Sequence, residues 1–270
     1  HLKVTPSSVK ELSDIPFLPI EFFKSHQIGD SLNYDKLFLS SGTTQQEKSK
    51  HYVKDIDIYK RSFFNGFNMF YGNPSDYLIA AILPGYVDNP NSSLLYMVDQ
   101  LIKDSNEPLS GFYSFENNHL IDQLKKIQAS NAQHKLIIGV TFALLDIAEK
   151  HQIDLSDCII METGGMKGKR KEIVREELHS ILKYAFNVKN IHSEYGMTEL
   201  LSQAYSKGNG VFEKSSTIKV LIRNIYQPLQ TLPNQNTGGI NVIDLSNIHS
   251  VSFIATQDLG KKLSQSTFEV

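Results

Sequence analysis

One cysteine, Cys158, stands among 270 residues. That excludes an internal disulfide and any metal site built from several cysteines. An excess of one charge is missing too: 27 Lys and Arg against 29 Asp and Glu give a net charge of −2. Nothing in that balance draws the chain to nucleic acid or to an anionic membrane. Apolar runs such as Leu78–Leu83 are strand-sized, far short of a membrane span, and no signal peptide is evident. The nine histidines show no H-x-x-x-H spacing, so a protein-held zinc is not expected. There is no G-x-S-x-G nucleophile elbow. Gly164–Arg170 lacks the spacing and the Ser/Thr of a P-loop. Gly208-Asn209-Gly210 is not a dinucleotide fingerprint, since no strand is expected to lead in and no helix to follow. The expectation is a soluble, cytoplasmic globular protein whose 40% hydrophobic content supports one large core or two lobes. Both ends look cut, with no Met at His1 and a strand still running at Thr267–Val270.

What is present centres on Leu37–Tyr52. Leu37, Phe38 and Leu39 predict a buried strand that runs into a polar loop, Ser40-Ser41-Gly42-Thr43-Thr44, with Ser49, Lys50 and His51 at its far end. Hydroxyls and backbone N–H groups donate to phosphate oxygens, Gly42 lets the backbone approach closely, and Lys48 or Lys50 supplies positive charge. Taken alone, the same residues more simply describe an exposed polar connection.

The rest of the chain falls into alternating elements. Ile56, Tyr59, Phe63, Phe67 and Phe70 recur at helical spacing, and that aromatic stripe is expected in the core. A strand follows at Tyr77–Leu83, then a helix capped by Ser92 or Ser93. Further helices are predicted at Leu120–Ile127 and Phe142–His151, and further strands at Leu136–Val140, Ile159–Met161 and Asn190–His192. Another helix buries Ile173, Val174, Leu178, Ile181, Leu182 and Ala185, with Lys171, Glu172, Arg175 and Glu176 on its charged face. Strands alternating with helices argue for an α/β fold with a largely parallel sheet flanked by helices, whose ligands collect at the carboxyl ends of the strands. Gly164-Gly165 and Tyr195–Glu199 fall at such ends. Thr217–Tyr226, Gly239–Leu245 and Val251–Thr256 are strand-like with no helix between them. The expected organisation is therefore an α/β core over residues 1–204 and a smaller antiparallel β subdomain over 205–270. Residues 1–36 are expected to be extended and to pack through aromatic burial, with His26 structural.

Four separated segments resemble the adenylate-forming (AMP-binding) superfamily. Ser41-Gly42-Thr43-Thr44 with Lys50 matches its phosphate loop, and Gly164-Gly165 its glycine pair beside the base. Tyr195-Gly196-Met197-Thr198-Glu199 matches the Y-G-x-T-E element, and Thr256-Gln257-Asp258 the T-x-D element. Phe17–Ile20, Phe22–His26 and Glu162–Lys167 look most like LuxE-type acyl-protein synthetases.

The resemblance implies ATP and Mg²⁺ as cofactors, a carboxylic acid substrate, with a fatty acid favoured, and a thiol acceptor on a protein or on CoA. It implies that Ser41, Gly42, Thr43 and Thr44 hold the β- and γ-phosphates with help from Lys50. Tyr195 would stack on adenine beside Gly164, Gly165 and Gly196. Thr198 would contact the α-phosphate, Glu199 would hold the metal, and Asp258 would accept from both ribose hydroxyls. Gln45 stands where the family has a second loop glycine, and a mobile C-terminal domain that carries a Lys and the acyl-accepting Cys is expected to lie outside this chain. A phenylacetate-type CoA ligase is the alternative enzyme, and a non-catalytic nucleotide-binding module the alternative of another class. Cys158 is expected to be a small buried hydrophobe rather than an acyl acceptor. The acid pocket is expected near the helix at 56–70 and near Thr141-Phe142.

Overall fold

The computed structural model describes residues 5–41, 47–85, 89–114, 119–165, 170 and 173–270. Gly42, Thr43, Thr44 and Gln45 lie outside the described residues, as do Lys167, Lys171 and Glu172.

After two 3-10 turns at Pro6–Ser8 and Leu12–Asp14 come a two-residue strand β1 (Leu18–Pro19) and a single-turn helix α1 (Phe22–Ser25). Strands β2 (Lys36–Leu39) and β3 (Lys50–Val53) pair antiparallel as a separate two-stranded sheet. Lys50 and His51 therefore belong to a strand rather than to the loop predicted there. Helix α2 (Ile56–Tyr71) starts on Asp55, whose carboxylate accepts from the backbone of Asp57 and Ile58. It stops at Gly72, whose φ of 89° is a conformation that costs glycine little. The predicted aromatic stripe is buried: Tyr59, Phe63, Phe67 and Phe70 all face the core. Full burial of one such ring contributes roughly 1.5–3 kcal/mol.

A parallel α/β run follows: β4 (Tyr77–Ile82), α3 (Ser93–Asp104), β5 (Gly111–Phe112), α4 (Leu120–Gln128), β6 (His134–Val140), α5 (Thr141–Lys150), β7 (Ile159–Thr163), α6 (Arg175–Phe186) and β8 (Ile191–Tyr195). Adjacent strands in the order β5-β4-β6-β7-β8 are all parallel. Their residues are buried on both faces, which is why they are near-continuous apolar runs rather than alternating ones. Helix α6 begins only at Arg175, so Val174, predicted in its buried face, precedes it and is 64% exposed.

Beyond β8 the direction reverses. Strands β9 (Ala204–Ser206) and β10 (Val211–Lys214) form a hairpin. Gly208-Asn209-Gly210 turns it, all three with positive φ. A strand does lead into this segment, contrary to the sequence expectation, and the segment is a tight turn. Strands β11 (Ile218–Arg223), β12 (Thr237–Asp244), β13 (Phe253–Lys262) and β14 (Thr267–Glu269) continue antiparallel. Apart from β2 and β3, the strands of the described residues form one sheet of 12, in the order β11-β12-β13-β14-β10-β9-β8-β7-β6-β4-β5, with β1 added in parallel to β13. Two hydrophobic clusters lie along it: one between the parallel strands and helices, the other among the antiparallel strands around Phe212, Ile240 and Phe268. The parallel sheet and the antiparallel strands meet at β8 and β9.

Candidate nucleotide and acid site

Two cavities open where the parallel strands end. The larger, of about 610 Å³, is bounded by Gly164, Gly165, Tyr195 and Glu199, by Arg175 of α6, and by Thr256–Asp258 of β13. The smaller, of about 250 Å³, lies between Ser40-Ser41, the start of α3 at Ser92–Leu94, and Thr163, Glu194 and Thr198. Strand alternation separates their walls. Glu162 pairs with Ser193 and Thr163 with Glu194 across β7 and β8, and successive side chains point to opposite faces. Glu162 and Tyr195 line the larger cavity, while Thr163 lines the smaller one. Glu194, Gly164, Gly196 and Glu199 border both.

The element Tyr195–Glu199 is held from several sides. The Tyr195 hydroxyl donates to Asp258 Oδ2 at 2.7 Å, and its ring sits edge-on to Phe212 and Phe268. Burial, with the nearby Asp258 charge, pushes the Tyr195 phenol well above its usual range. His51, on β3, is fully buried, and its Nδ1 lies 2.8 Å from the Thr198 carbonyl oxygen. A carbonyl accepts, so Nδ1 carries the proton. The neutral ring then accepts at Nε2 from the Ser250 hydroxyl 3.0 Å away. Burial pushes His51 down to about 4, so the ring is neutral at pH 7. Asn247 Nδ2 donates to the next carbonyl, Glu199, at 2.7 Å. Two side chains thus pin two successive carbonyls. The backbone just beyond is fixed by Asp244, which accepts from Leu201 N and Ser202 N.

The walls are acidic. Burial pushes the Glu199 carboxyl above the usual carboxylate range. Glu162 is equally buried, and burial alone would raise it. The nearby polar side chains of His179 and Ser193, the Arg175 charge and a hydrogen bond from the Thr141 hydroxyl overcome that and hold it below the usual range. Among the described lining residues of the larger cavity, Glu162, Glu194, Glu199 and Asp258 face two cations, Lys24 and Arg175.

The structure brings together most of the residues singled out in the sequence. Gly164, Gly165, Tyr195, Gly196, Glu199 and Asp258 border the larger cavity. Ser41 and Thr198 border the smaller. Asp258 lies inside β13 rather than in a turn. The loop base is closed by Ser40 and Ser49, with Ser40 N donating to Ser49 O at 3.1 Å and Ser49 N to Ser40 Oγ at 2.9 Å. Lys50, the first residue of β3, is exposed and lies in neither wall. Of the region around the helix at 56–70 and Thr141-Phe142, Tyr59 borders the smaller cavity and Thr141 the larger. Cys158 is buried, and burial pushes its thiol up to about 12, which leaves it protonated and unreactive at pH 7. Sequence reasoning missed His51, Asn247, Lys24, Arg175 and Glu162 as parts of the site. Three of these carried a signal: His51 lies in the Leu37–Tyr52 stretch, and Lys24 and Glu162 lie in the segments that look LuxE-like.

No protein-family model matches the chain, and no curated protein matches it by sequence. Solved structures do match. ATP-bound MatB from Rhodopseudomonas palustris aligns with TM-score 0.63 at 14% identity, over 86% of this chain and 46% of that one. The O-succinylbenzoate coenzyme A synthetase MenE from Bacillus subtilis, in complex with ATP and magnesium, aligns with TM-score 0.59 at 15% identity, over 90% of this chain and 50% of that one. The long-chain-fatty-acid-CoA ligase FadD1 from Archaeoglobus fulgidus aligns with TM-score 0.56 at 12% identity, over 86% of this chain and 50% of that one. At these identities the likeness is one of fold: a mostly parallel sheet flanked by helices, continued by antiparallel strands. The chain spans about half the length of these structures. Among the described residues, no helix is long and apolar enough to cross a membrane.

Proposed function

We propose that this chain is the ATP- and acid-binding part of a ligase that makes an acyl-adenylate from a carboxylic acid and passes the acyl group to a thiol. One observation carries the reading. Segments spread from Ser40 to Asp258 converge on two adjoining cavities, and they are the segments that resemble the superfamily's nucleotide-binding elements. ATP and magnesium in the matched MenE structure, and ATP in MatB, support the same ligands here.

The residues fit those ligands. A cavity of about 610 Å³ is in the range of small-molecule sites. Among the described residues there is no cluster of three or more His, Cys, Asp or Glu able to cage a metal. Mg²⁺ does not require one, since it keeps several waters and is bound through one or two carboxylates plus substrate phosphates. In this reading Glu199, which like Glu194 borders both cavities, is the carboxylate that would hold it. Bound there, the metal would neutralise phosphate charge.

The carboxylate of the acid is ionised at pH 7, so its attack on the α-phosphate needs no general base. The barrier is charge crowding and positioning. In this reading Thr198 donates to the α-phosphate, Tyr195 and Gly164-Gly165 flank the adenine beside Gly196, and Asp258 accepts from the ribose hydroxyls. Ser41, Gly42, Thr43 and Thr44 hold the β- and γ-phosphates. Residues 1–204 and 205–270 are two parts of one large domain, and the mobile domain that completes the reaction lies elsewhere in the protein. A cytoplasmic location accompanies this reading.

The LuxE-type resemblance favours a fatty acid and a protein thiol. The names of MenE and FadD1 favour CoA as the acceptor instead. The test is carboxylate-dependent exchange of labelled pyrophosphate into ATP, run on the full-length protein across acid chain lengths. Exchange with at least one acid is expected. Its absence with every acid, alongside ATP binding, favours a non-catalytic nucleotide module. Exchange that survives both Thr198→Ala and Glu199→Ala removes the residue assignment. Whether product appears on protein or on CoA decides the acceptor.

A further inference from the structure

Any polyphosphate entering the larger cavity meets four carboxylates in its described walls. Positive charge is therefore what the site most needs, and the two cations there are not equivalent. Arg175 is engaged. Its Nη1 donates to the Val270 carbonyl at 2.9 Å, and its guanidinium lies 5.1 Å from the centre of the Phe212 ring. Lys24 is half-buried, and among the described residues no hydrogen bond or close ion pair holds its ammonium group. It acts through space on Glu199, where it opposes the effect of burial on that carboxyl.

The mounting of Lys24 is what makes it more than a chance surface residue. Four residues of helix have no stability of their own, so α1 must be held by its neighbours. On one side β1 pairs in parallel with β13, Leu18 against Ile254 and Pro19 against Ala255. Ile20 N then donates to Ala255 O at 3.0 Å. On the other side Phe23 is fully buried, edge-on to the His51 ring at 5.5 Å. That same ring holds the Thr198 carbonyl. Glu21 Oε1 accepts from Gln257 Nε2, beside Asp258. The backbone that carries Lys24 is thus fixed relative to Thr198, Glu199 and Asp258 together.

We propose that Lys24 is the cation that meets the phosphates of the bound nucleotide, a role the sequence assigned to Lys50. This rests on the ATP site of the preceding subsection.

The experiment is calorimetric titration of the full-length protein and its variants with Mg·ATP, inorganic pyrophosphate and adenosine. Lys24→Gln should weaken Mg·ATP and pyrophosphate by about tenfold and leave adenosine unchanged, because a charge-assisted contact to phosphate is lost. Lys24→Arg keeps the charge and should recover most of the loss. Lys24→Gln that binds Mg·ATP within about twofold of the parent overturns the proposal. So does an equal loss for adenosine, which would mark a structural effect, or a larger loss in Lys50→Gln than in Lys24→Gln. A parent that binds no Mg·ATP instead overturns the nucleotide reading itself, so the two failures are distinguishable.

Discussion

The hydrogen bond from the Tyr195 hydroxyl to Asp258 Oδ2, 2.7 Å long, joins the end of β8 to the middle of β13 and places two distant sequence elements in one wall. It occupies one carboxylate oxygen and leaves lone pairs on both for a ligand. If Asp258 accepts from the ribose, the parent should prefer ATP to 2′-deoxy-ATP by about tenfold, and Asp258→Ala should bring that ratio close to one. Tyr195→Phe keeps the ring and should shift ATP affinity by less than about threefold. Competition binding with the two nucleotides measures both. An unchanged ratio in Asp258→Ala removes the ribose assignment.

Stability should fall with acid over a defined window. Burial pushes His51 and His192 each down to about 4, with the Lys207 charge adding to the effect on His192. In the unfolded chain both titrate near 6.5. Below that pH the unfolded chain takes up protons the folded one refuses. The stabilisation is therefore complete above about pH 6.5 and is lost as pH falls toward about 4. Each fully shifted histidine contributes a slope of about 1.4 kcal/mol per pH unit, with His192 counted for less because it is only partly buried. His51→Asn should flatten its share of the slope in urea titrations at successive pH values. A parent whose stability is level across the window contradicts this.

Asp244 is the most heavily used buried carboxylate outside the cavities. It is 0% exposed and accepts from Leu201 N, Ser202 N, Ser202 Oγ and Ser246 N. Asp244→Asn puts an NH₂ group opposite donors and should cost about 3 kcal/mol. It should also loosen the backbone that follows Glu199. Equilibrium urea unfolding checks the size, and a loss under about 1 kcal/mol would mean that the network reorganises around the amide.

Gly196 has to be glycine for a packing reason. A Cβ there would run into Glu194 Oε1. Glu194 is buried, and its other oxygen accepts from Thr163 Oγ1 at 2.5 Å, so it has little room to retreat. Gly196→Ala should cost about 1–3 kcal/mol by overpacking. Thermal unfolding of Gly196→Ala against Gly196→Ala/Glu194→Ala tests the cause, since removing the Glu194 carboxyl should recover part of the loss. No recovery would place the strain elsewhere.

Periodicity alone located α2 to α6 in outline and the core strands β4, β6, β7 and β8, because each long helix or buried strand repeats its pattern several times. From those elements followed the parallel sheet, the aromatic core face of α2, and the strand ends that carry Gly164-Gly165 and Tyr195–Glu199. Short elements carry too few repeats to be seen. The two residues of β1, the four of α1 and the three of β9 exist because β13, His51 and β8 lie against them. The continuation of β13 through Asp258 to Lys262 is likewise set by its pairing with β12 and β14. Residue types therefore announced a hydroxyl-rich loop, a Y-G-x-T-E element and a T-x-D element. Their company was decided only in the folded chain. Which lysine faces the cavity, which histidine holds the Thr198 carbonyl, and which carboxylate meets the Tyr195 hydroxyl depend on strand pairing across long separations, and a single strand's own pattern contains no record of its neighbour.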